Sequence, residues 1–424
     1  MPKGNAQESF HRHFPKLPRM KVKARTTVGA RIADYLKAHP IVSLLILTPG
    51  IPEYLSSSSP INAIIFNPPQ FVFQLLANLG LYGSGALLIH DAQIRWKKGW
   101  ASVLLLGGAY GILEEGVALS TLFNPDAGPV GSLGVYGHWL GVNWVWAAGI
   151  VPFHAIFSIS IPLMLLGMAI PETRFRPLLS RRGIVTAFLV LSLDVIILML
   201  VVWHLSGYWM GWPILLLSLL AISGLVFAAG HVTPPTLGFS RGRPAPSPRK
   251  IVVIGVSFFP AVLLTQSLGR GAGLPAALDM ILVVAVQALY LLSVARRDFS
   301  GSRRSVLAFA LGLLVPIMVF GVLAELVLPV TILADLAVFV FFRKLWTSSG
   351  NQRESHEPPS DSHMPNGITA EQPLWPPEMR ILLGLRSSGP EVPKSTGADS
   401  SRCLGASAQG FPRNGTSPTT GSSG

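Results

Sequence analysis

Cysteine and charged residues are both scarce in this chain of 424 residues. The single cysteine, Cys403, excludes an internal disulfide and any metal site built from several cysteines. Charged residues make up only 12% of the chain, whereas a soluble domain usually carries roughly 25%. So few charges cannot coat a water-facing surface around the hydrophobic residues, which form 50% of the chain. The composition therefore predicts a protein whose solvent is lipid.

Long uncharged segments recur along the chain. A helix needs about 20 apolar residues to cross a hydrocarbon core that is ~30 Å thick. Two weaker segments are 38–55 and 328–342. Pro49 interrupts the first, which is either a span or a re-entrant segment. With these two, the sequence predicts an all-α, polytopic transmembrane helical bundle of about ten spans. The segments that reach or nearly reach full length are 70–90, 100–123, 143–170, 184–205, 213–230, 251–268, 276–295 and 305–324.

Lysine and arginine are distributed unevenly among the connections between these segments. If residues 1–37 are cytoplasmic, fifteen lysines and arginines fall in the four inside loops, and only Arg270 falls in the outside connections. This is the pattern of the positive-inside rule. The net charge of +13 is thereby explained by topology, so no nucleic-acid partner is expected. The prediction is a multi-pass protein of the cell membrane, surrounded by the lipid bilayer, with both termini cytoplasmic; its oligomeric state stays open.

Composition divides the chain into three parts. Residues 1–37 form a basic cytoplasmic segment that is too long and polar for a cleavable signal peptide. Residues 38–346 form the transmembrane domain. Residues 347–424 are rich in proline, glycine, serine and threonine and cannot bury enough apolar surface to offset the entropy of ordering. They are predicted to be a disordered cytoplasmic tail.

Two glycines spaced four apart, Gly107 and Gly111, lie on one face of the span 100–123. Small residues at this spacing let two helix backbones approach closely. We therefore expect this span to pack against the preceding span, 70–90, as a hairpin.

Two adjacent acidic residues, Glu114 and Glu115, interrupt the same span. A carboxylate inside a membrane costs several kcal/mol unless it is paired or hydrated, so both should face the protein interior. Neighbouring positions diverge by ~100° around a helix. Glu115 therefore continues the glycine face, and Glu114 lies on the side of Tyr110.

His154 and Asp194 lie at a comparable depth in the next two spans, and Ser158 shares the helix face of His154. The predicted cluster consists of Glu114, Glu115, His154 and Asp194. We expect it to bind a proton or a small polar solute, since ionisable groups inside membranes are commonly functional. The alternative is a hydrogen-bonded cluster that only holds three helices together. Histidine spacing gives no zinc motif, and no nucleotide-binding motif occurs, so neither a metal nor a cofactor is expected.

The segment 82–166 resembles an uncharacterised family of prokaryotic multi-pass membrane proteins, a resemblance that implies no established activity. It covers about a fifth of the chain. The stretches that carry it are Tyr82-Gly-Ser-Gly-Ala-Leu-Leu-Ile, Arg95-Trp, Lys98-Gly-Trp, Ala109-Tyr-Gly-Ile-Leu-Glu-Glu-Gly, Leu133-Gly-Val-Tyr-Gly, Trp139-Leu-Gly-Val-Asn-Trp-Val-Trp and His154-Ala.

The pair Glu114-Glu115 and the later His154 also resemble, in kind, the signature of the CPBP glutamic intramembrane proteases, which are related to the CAAX prenyl endopeptidase. That resemblance implies a glutamate that activates water for peptide hydrolysis. The departures are Leu119 where arginine is expected, Ile150 where phenylalanine is expected, and His204 at a membrane edge as the only candidate for the last histidine.

Three functions stay open at this point, and whether the protein is an enzyme is undecided. The first is a transporter or permease that uses the Glu/His/Asp cluster. The second is an intramembrane glutamic protease. The third is a non-catalytic membrane scaffold.

Overall fold

The structure, a computed structural model, describes residues 28–232, 243–244, 247–295, 297–298, 303–325 and 330–354. Helices form almost all of it. They are α1 (Val28–Ala38), α2 (Pro40–Pro49), α3 (Ala63–Phe66), α4 (Pro68–Arg95), α5 (Trp100–Ala118), α6 (Trp144–Ala169), α7 (Arg181–Ser206), α8 (Trp212–His231), α9 (Pro248–Gly271), α10 (Ala276–Ala295), α11 (Arg303–Ala324) and α12 (Thr331–Glu354).

Short elements lie in the connections. Two of them are 3₁₀ helices, Gly128–Leu133 and Pro171–Arg174. Strands β1 and β2 are antiparallel, and β3 and β4 are parallel. The strands are β1 (His138–Trp139), β2 (Val142–Asn143), β3 (Arg243–Pro244) and β4 (Arg297–Asp298).

Eight helices of the described residues, α4 to α11, are long and apolar enough to cross a membrane. This confirms the predicted fold class, a polytopic α-helical membrane protein. The two weaker segments are also helical. Segment 38–55 is α2 followed directly by a π-helical turn, Gly50–Tyr54, and its buried side chains include Leu44 and Ile51. Segment 328–342 corresponds to α12.

Helix α12 continues through Glu354, although the tail was predicted to begin at residue 347. The predicted boundary at residue 347 thus falls within α12. The rest of the predicted tail, 355–424, and residues 1–27 of the N-terminal segment lie outside the described residues.

Helices α4, α5, α6 and α11 form the interior of the bundle. More than half of the most apolar stretch of each is buried inside the protein, whereas in α8 and α10 only 11% is. Helix α6 lies between two apolar core clusters, one with α4, α5 and α7 and the other with α9 and α11. Polar side chains carried by α4, α5 and α6 are therefore held away from lipid.

Helices α4 and α5 are neighbours, as the hairpin prediction required, and Gly85 lies against the ring of Tyr110. The Gly107–Gly111 face, however, packs on α6. A Cβ atom on Gly107 would lie 2.7 Å from the Cα atom of Ala155. Close approach on this face brings Glu115, one turn further along, towards α6.

We expect Gly107→Ala to lower the free energy of unfolding by about 1–3 kcal/mol, because the added methyl group meets the backbone of α6 and the helices must separate. Gly108→Ala is the matched control, since its Cβ atom would have its nearest neighbour at 3.8 Å, an ordinary contact. Thermal unfolding of both variants in detergent measures the difference. Equal stability of the two variants would contradict the close packing of α5 on α6.

Asp91, near the end of α4, ties the connection between α6 and α7 to the bundle. Its carboxylate accepts hydrogen bonds from the backbone N–H groups of Leu178, at 2.7 Å, and Leu179, at 3.2 Å, and pairs with Arg95 at 3.1 Å. A carboxylate that is 2% exposed requires such partners. Asp91 thus has a structural role. It lies at the end of the bundle that carries the basic loops, which we call the basic end.

Candidate functional site

Four π-helical segments interrupt the helices in the described part of the chain, and all four contribute side chains to one place. They are Gly50–Tyr54, Leu79–Gly83 in α4, Leu113–Ala118 in α5 and His154–Ser160 in α6. A π-helical turn replaces the usual i→i+4 bond by an i→i+5 bond, and such turns frequently occur at functional sites. At a rise of 1.5 Å per residue, the π-helical turns in α4, α5 and α6 lie about 20 Å from the basic end of the bundle.

The centre of this place is His154, whose imidazole lies between two carboxyl groups. Its Nδ1 atom is 3.0 Å from Oε2 of Glu114, and its Nε2 atom is 2.9 Å from Oε1 of Glu115. Nδ1 also lies 2.9 Å from the hydroxyl of Ser158, one turn along α6. Both ring nitrogens are therefore engaged by buried oxygen atoms.

A second bridging group, the hydroxyl of Tyr82, joins Glu114 to a third carboxyl group. It lies 2.5 Å from Oε1 of Glu53 and also contacts Oε1 of Glu114. Glu53, Tyr82, Glu114, His154 and Glu115 thus form one continuous series, which we call the polar chain; its links are hydrogen bonds except for the ion-pair contact between Glu114 and His154. It crosses from the turn after α2, through α4 and α5, to α6.

Neutral groups complete the Glu53 end of the polar chain. Oε2 of Glu53 accepts a hydrogen bond from Ser59 at 2.8 Å, and Ser59 accepts one from Asn78 at 3.0 Å. These donors hold the carboxyl of Glu53 in position without adding charge.

The Glu115 end is completed in the same way. Oε2 of Glu115 accepts a hydrogen bond from Thr121, whose hydroxyl accepts one from the indole of Trp146 at 3.2 Å. Both ends of the polar chain therefore carry donors that orient a carboxyl group.

The two contacts at the hydroxyl of Tyr82 need more protons than that hydroxyl carries. Two oxygen–oxygen contacts converge on the hydroxyl of Tyr82, and each requires a proton, but the phenol supplies only one. A second proton, on either Glu53 or Glu114, would satisfy the other contact.

Water is largely excluded from the middle of the polar chain. Glu114 is 1% exposed, and Tyr82 and His154 are each 2% exposed. Within the described residues, no lysine or arginine forms an ion pair with its carboxyl groups. Among the described residues, His154 is thus the one basic side chain that pairs with these carboxyl groups.

The structure brings together three of the four predicted site residues: Glu114, Glu115 and His154. Asp194 does not join them, and among the described residues it makes no hydrogen bond to the polar chain. Its carboxylate lies against the backbone of α4, where a Cβ atom on Gly80 would be 3.0 Å from Oδ2. Comparable depth in neighbouring helices places a side chain near a site, but the rotation of each helix decides whether it points there.

Sequence reasoning missed Glu53 and Tyr82. Glu53 lies at the end of the weak segment 38–55, so its position within the bundle was not evident from hydropathy. Tyr82 lies in a stretch rich in small residues and resembles an ordinary apolar core residue. The available signal was the acidic residue itself, which ends an otherwise apolar segment.

A metal ion would also fit the spacing of Glu114, Glu115 and His154, since one donor atom of each lies within 4.8 Å of the others. However, both imidazole nitrogens already face carboxyl oxygens at hydrogen-bonding distance. An ion would have to displace the protons from these contacts. Metal binding and proton sharing would therefore compete for the same atoms.

No family model, curated protein or solved structure matches this chain. The two resemblances described above therefore stay predictions. His204, the last histidine that the protease resemblance would require, lies exposed in the last turn of α7 and is not part of the polar chain. What the protein does has to be inferred from the site itself.

Proposed function

We propose that this multi-pass membrane protein is a proton-coupled transporter and that the polar chain is its coupling site. The observation that carries the proposal is the proton count at Tyr82: one phenol hydroxyl joins two buried carboxyl groups. A transporter that uses a proton gradient needs a buried group that gains and loses a proton as the protein changes conformation. Carboxyl and histidine side chains inside membranes commonly serve as such relays.

The π-helical turns supply a physical means of coupling. Each carries one residue more per turn than an α-helix, so a small change of register moves the side chains in it without unfolding the span. A proton that passes from Glu114 to Glu53 through the hydroxyl of Tyr82 reverses the direction of both hydrogen bonds at that hydroxyl. The turns at 79–83 and 113–118 then favour different registers. A ligand that prefers one register shifts the proton with it.

We further propose that the protein lies in the cell membrane with both termini in the cytoplasm. The support is the fifteen-to-one excess of lysine and arginine in alternate loops. The basic end is then cytoplasmic. Glu114, fourteen residues from Trp100 at that end, lies about 21 Å from the cytoplasmic surface, beyond the middle of the bilayer. A proton at the polar chain is therefore nearer to the outer surface.

The proposal predicts that Glu114→Gln reduces proton movement at least tenfold, because an amide can hydrogen-bond at this position but cannot release a proton. Vesicles that contain the purified protein and an internal pH-sensitive dye are given a pH gradient and a balancing potassium potential, and dye fluorescence reports proton entry. Glu172→Gln is the matched control, since Glu172 is exposed in a connecting loop.

Wild-type protein and the Glu172 variant should both conduct protons faster than protein-free vesicles. Thermal unfolding establishes that the Glu114 variant is folded before its flux is interpreted. Wild-type flux equal to that of empty vesicles, or an unchanged rate in Glu114→Gln, would rule out proton coupling through this site.

A second candidate function is a glutamate-dependent intramembrane hydrolase. The contact of 2.9 Å between Glu115 and His154 favours it, because a catalytic acid–base pair must lie within hydrogen-bonding distance. In this mechanism the carboxylate of Glu115 removes a proton from water as the water attacks a peptide carbonyl, and His154 protonates the leaving nitrogen. The polar chain would then serve to orient the two residues.

A further inference from the structure

A cavity of about 990 Å³ lies beside the polar chain, between α5, α6, α8 and α10. Pockets that bind small molecules usually have roughly 300–1,000 Å³, so this one is at the upper end of the range. Its walls are formed chiefly by aliphatic and aromatic side chains. A site of this size within the bundle has room for a whole ligand.

Each of the few polar side chains in the wall already donates a hydrogen bond to another part of the protein. A buried polar group that has its hydrogen bond made elsewhere offers little to a polar ligand, which would lose its water without replacement. In this wall Ser218 donates to Ile214, Gln287 to Ala148, Tyr290 to Ser257, and Trp144 to Trp139.

One side of the cavity is formed by the two helices that are least buried, α8 and α10. Met280, Val284 and Ala288 of α10 line the cavity, whereas Leu289 on the opposite face is 66% exposed. Val284, in the wall itself, is 52% exposed, so the cavity is partly open to the surroundings of the bundle on this side. Molecules dissolved in the bilayer have the shortest route to it.

We propose that this cavity is the substrate site and that it binds an apolar molecule which enters from the bilayer. That the bound molecule is a substrate rests on the proposed transport function. That an apolar molecule binds in the cavity does not. The inference replaces the small polar solute that the sequence led us to expect. Hydrophobic contact area, rather than a set of hydrogen bonds, would provide the affinity.

The cavity and the polar chain share the same helical turns. On α6, Val151 and Ala155 line the cavity, and His154 between them points to the polar chain. On α5, Ile112 lines the cavity one turn before Glu115. A ligand that presses on these wall residues acts directly on the π-helical turns that hold the protons. Occupancy and protonation are therefore mechanically linked.

The test is equilibrium binding of Nile red, a neutral apolar dye, to the protein in nanodiscs, with protein-free nanodiscs as the background. Ala288→Phe places a large ring in the cavity and should weaken binding at least tenfold. Ala285→Phe is the matched control, because Ala285 is an exposed residue of the same helix and does not line the cavity. Ala221→Phe fills the cavity from α8 and replaces the first variant if that one fails to fold.

Unchanged affinity in both cavity variants would overturn the proposal. A phospholipid that co-purifies with the wild type, is lost in Ala288→Phe and is not displaced by Nile red would also overturn it, because the cavity would then be a structural lipid site. Glu172→Gln, at an exposed position away from the cavity, should bind the dye with wild-type affinity. Dye binding without proton flux would leave the cavity assignment intact and reject only the transport function.

Discussion

His154→Ala is expected to be the most destabilising single substitution in the polar chain, with a loss of about 3–5 kcal/mol in the free energy of unfolding. The imidazole contacts Glu114 at 3.0 Å and Glu115 at 2.9 Å, and all three side chains are buried. Alanine leaves two carboxyl groups without their common partner in a site that excludes water. Thermal or denaturant unfolding in detergent measures the loss, and His204→Ala, at an exposed position, should change stability little.

A second substitution separates the charge effect from the loss of packing. Glu115→Gln removes one of the two stranded carboxyl groups, so in the His154→Ala background it should restore part of the stability. On its own it should destabilise, because the wild-type contact with Nε2 is weakened. A coupling energy of roughly 0.5–3 kcal/mol between the two changes is expected for groups in contact. Strictly additive effects would show that His154 and Glu115 do not interact as described.

Tyr82→Phe is expected to reduce proton flux by about 100-fold or more, a size typical of the removal of a positioned proton donor. Only the hydroxyl that joins Glu53 to Glu114 is lost, while the ring and its packing remain. Tyr110→Phe is the matched control: Tyr110 is buried beside the same site, with its ring 5.8 Å from that of Tyr82, and its hydroxyl interacts with Glu114 but does not join Glu114 to Glu53. Dye-loaded vesicles measure both variants.

The same pair of variants separates the two candidate functions. Tyr82 makes no hydrogen bond to Glu115 or His154, and phenylalanine keeps the ring that packs beside His154, so a hydrolase that depends on that pair should keep most of its cleavage of a membrane peptide in Tyr82→Phe. A transporter that passes protons along the polar chain should not keep its flux. Full flux in Tyr82→Phe would show that protons do not pass between Glu53 and Glu114.

The sequence predicted the features of the site that depend on the geometry of one helix, but not those that depend on which helices pack together. The rotation of ~100° between adjacent helical positions assigned Glu115 to the glycine face and Glu114 to the side of Tyr110. The structure agrees: the glycine face packs on α6 and brings Glu115 to His154, and Glu114 contacts Tyr82 on the other side. The partner of the glycine face could not be predicted, since α4 and α6 were both available neighbours.

The amino-acid sequence by itself determined that the chain is a helical membrane protein, approximately where its main spans lie, and that one of them carries Glu114 and Glu115. These properties follow from hydrocarbon thickness and from the cost of charge in lipid, which act on each segment separately. Tertiary structure alone decided that Glu53 and Tyr82 belong with His154, that Asp194 does not, and that an apolar cavity adjoins them. Those outcomes depend on helix rotation and on the π-helical turns, which packing between distant segments selects.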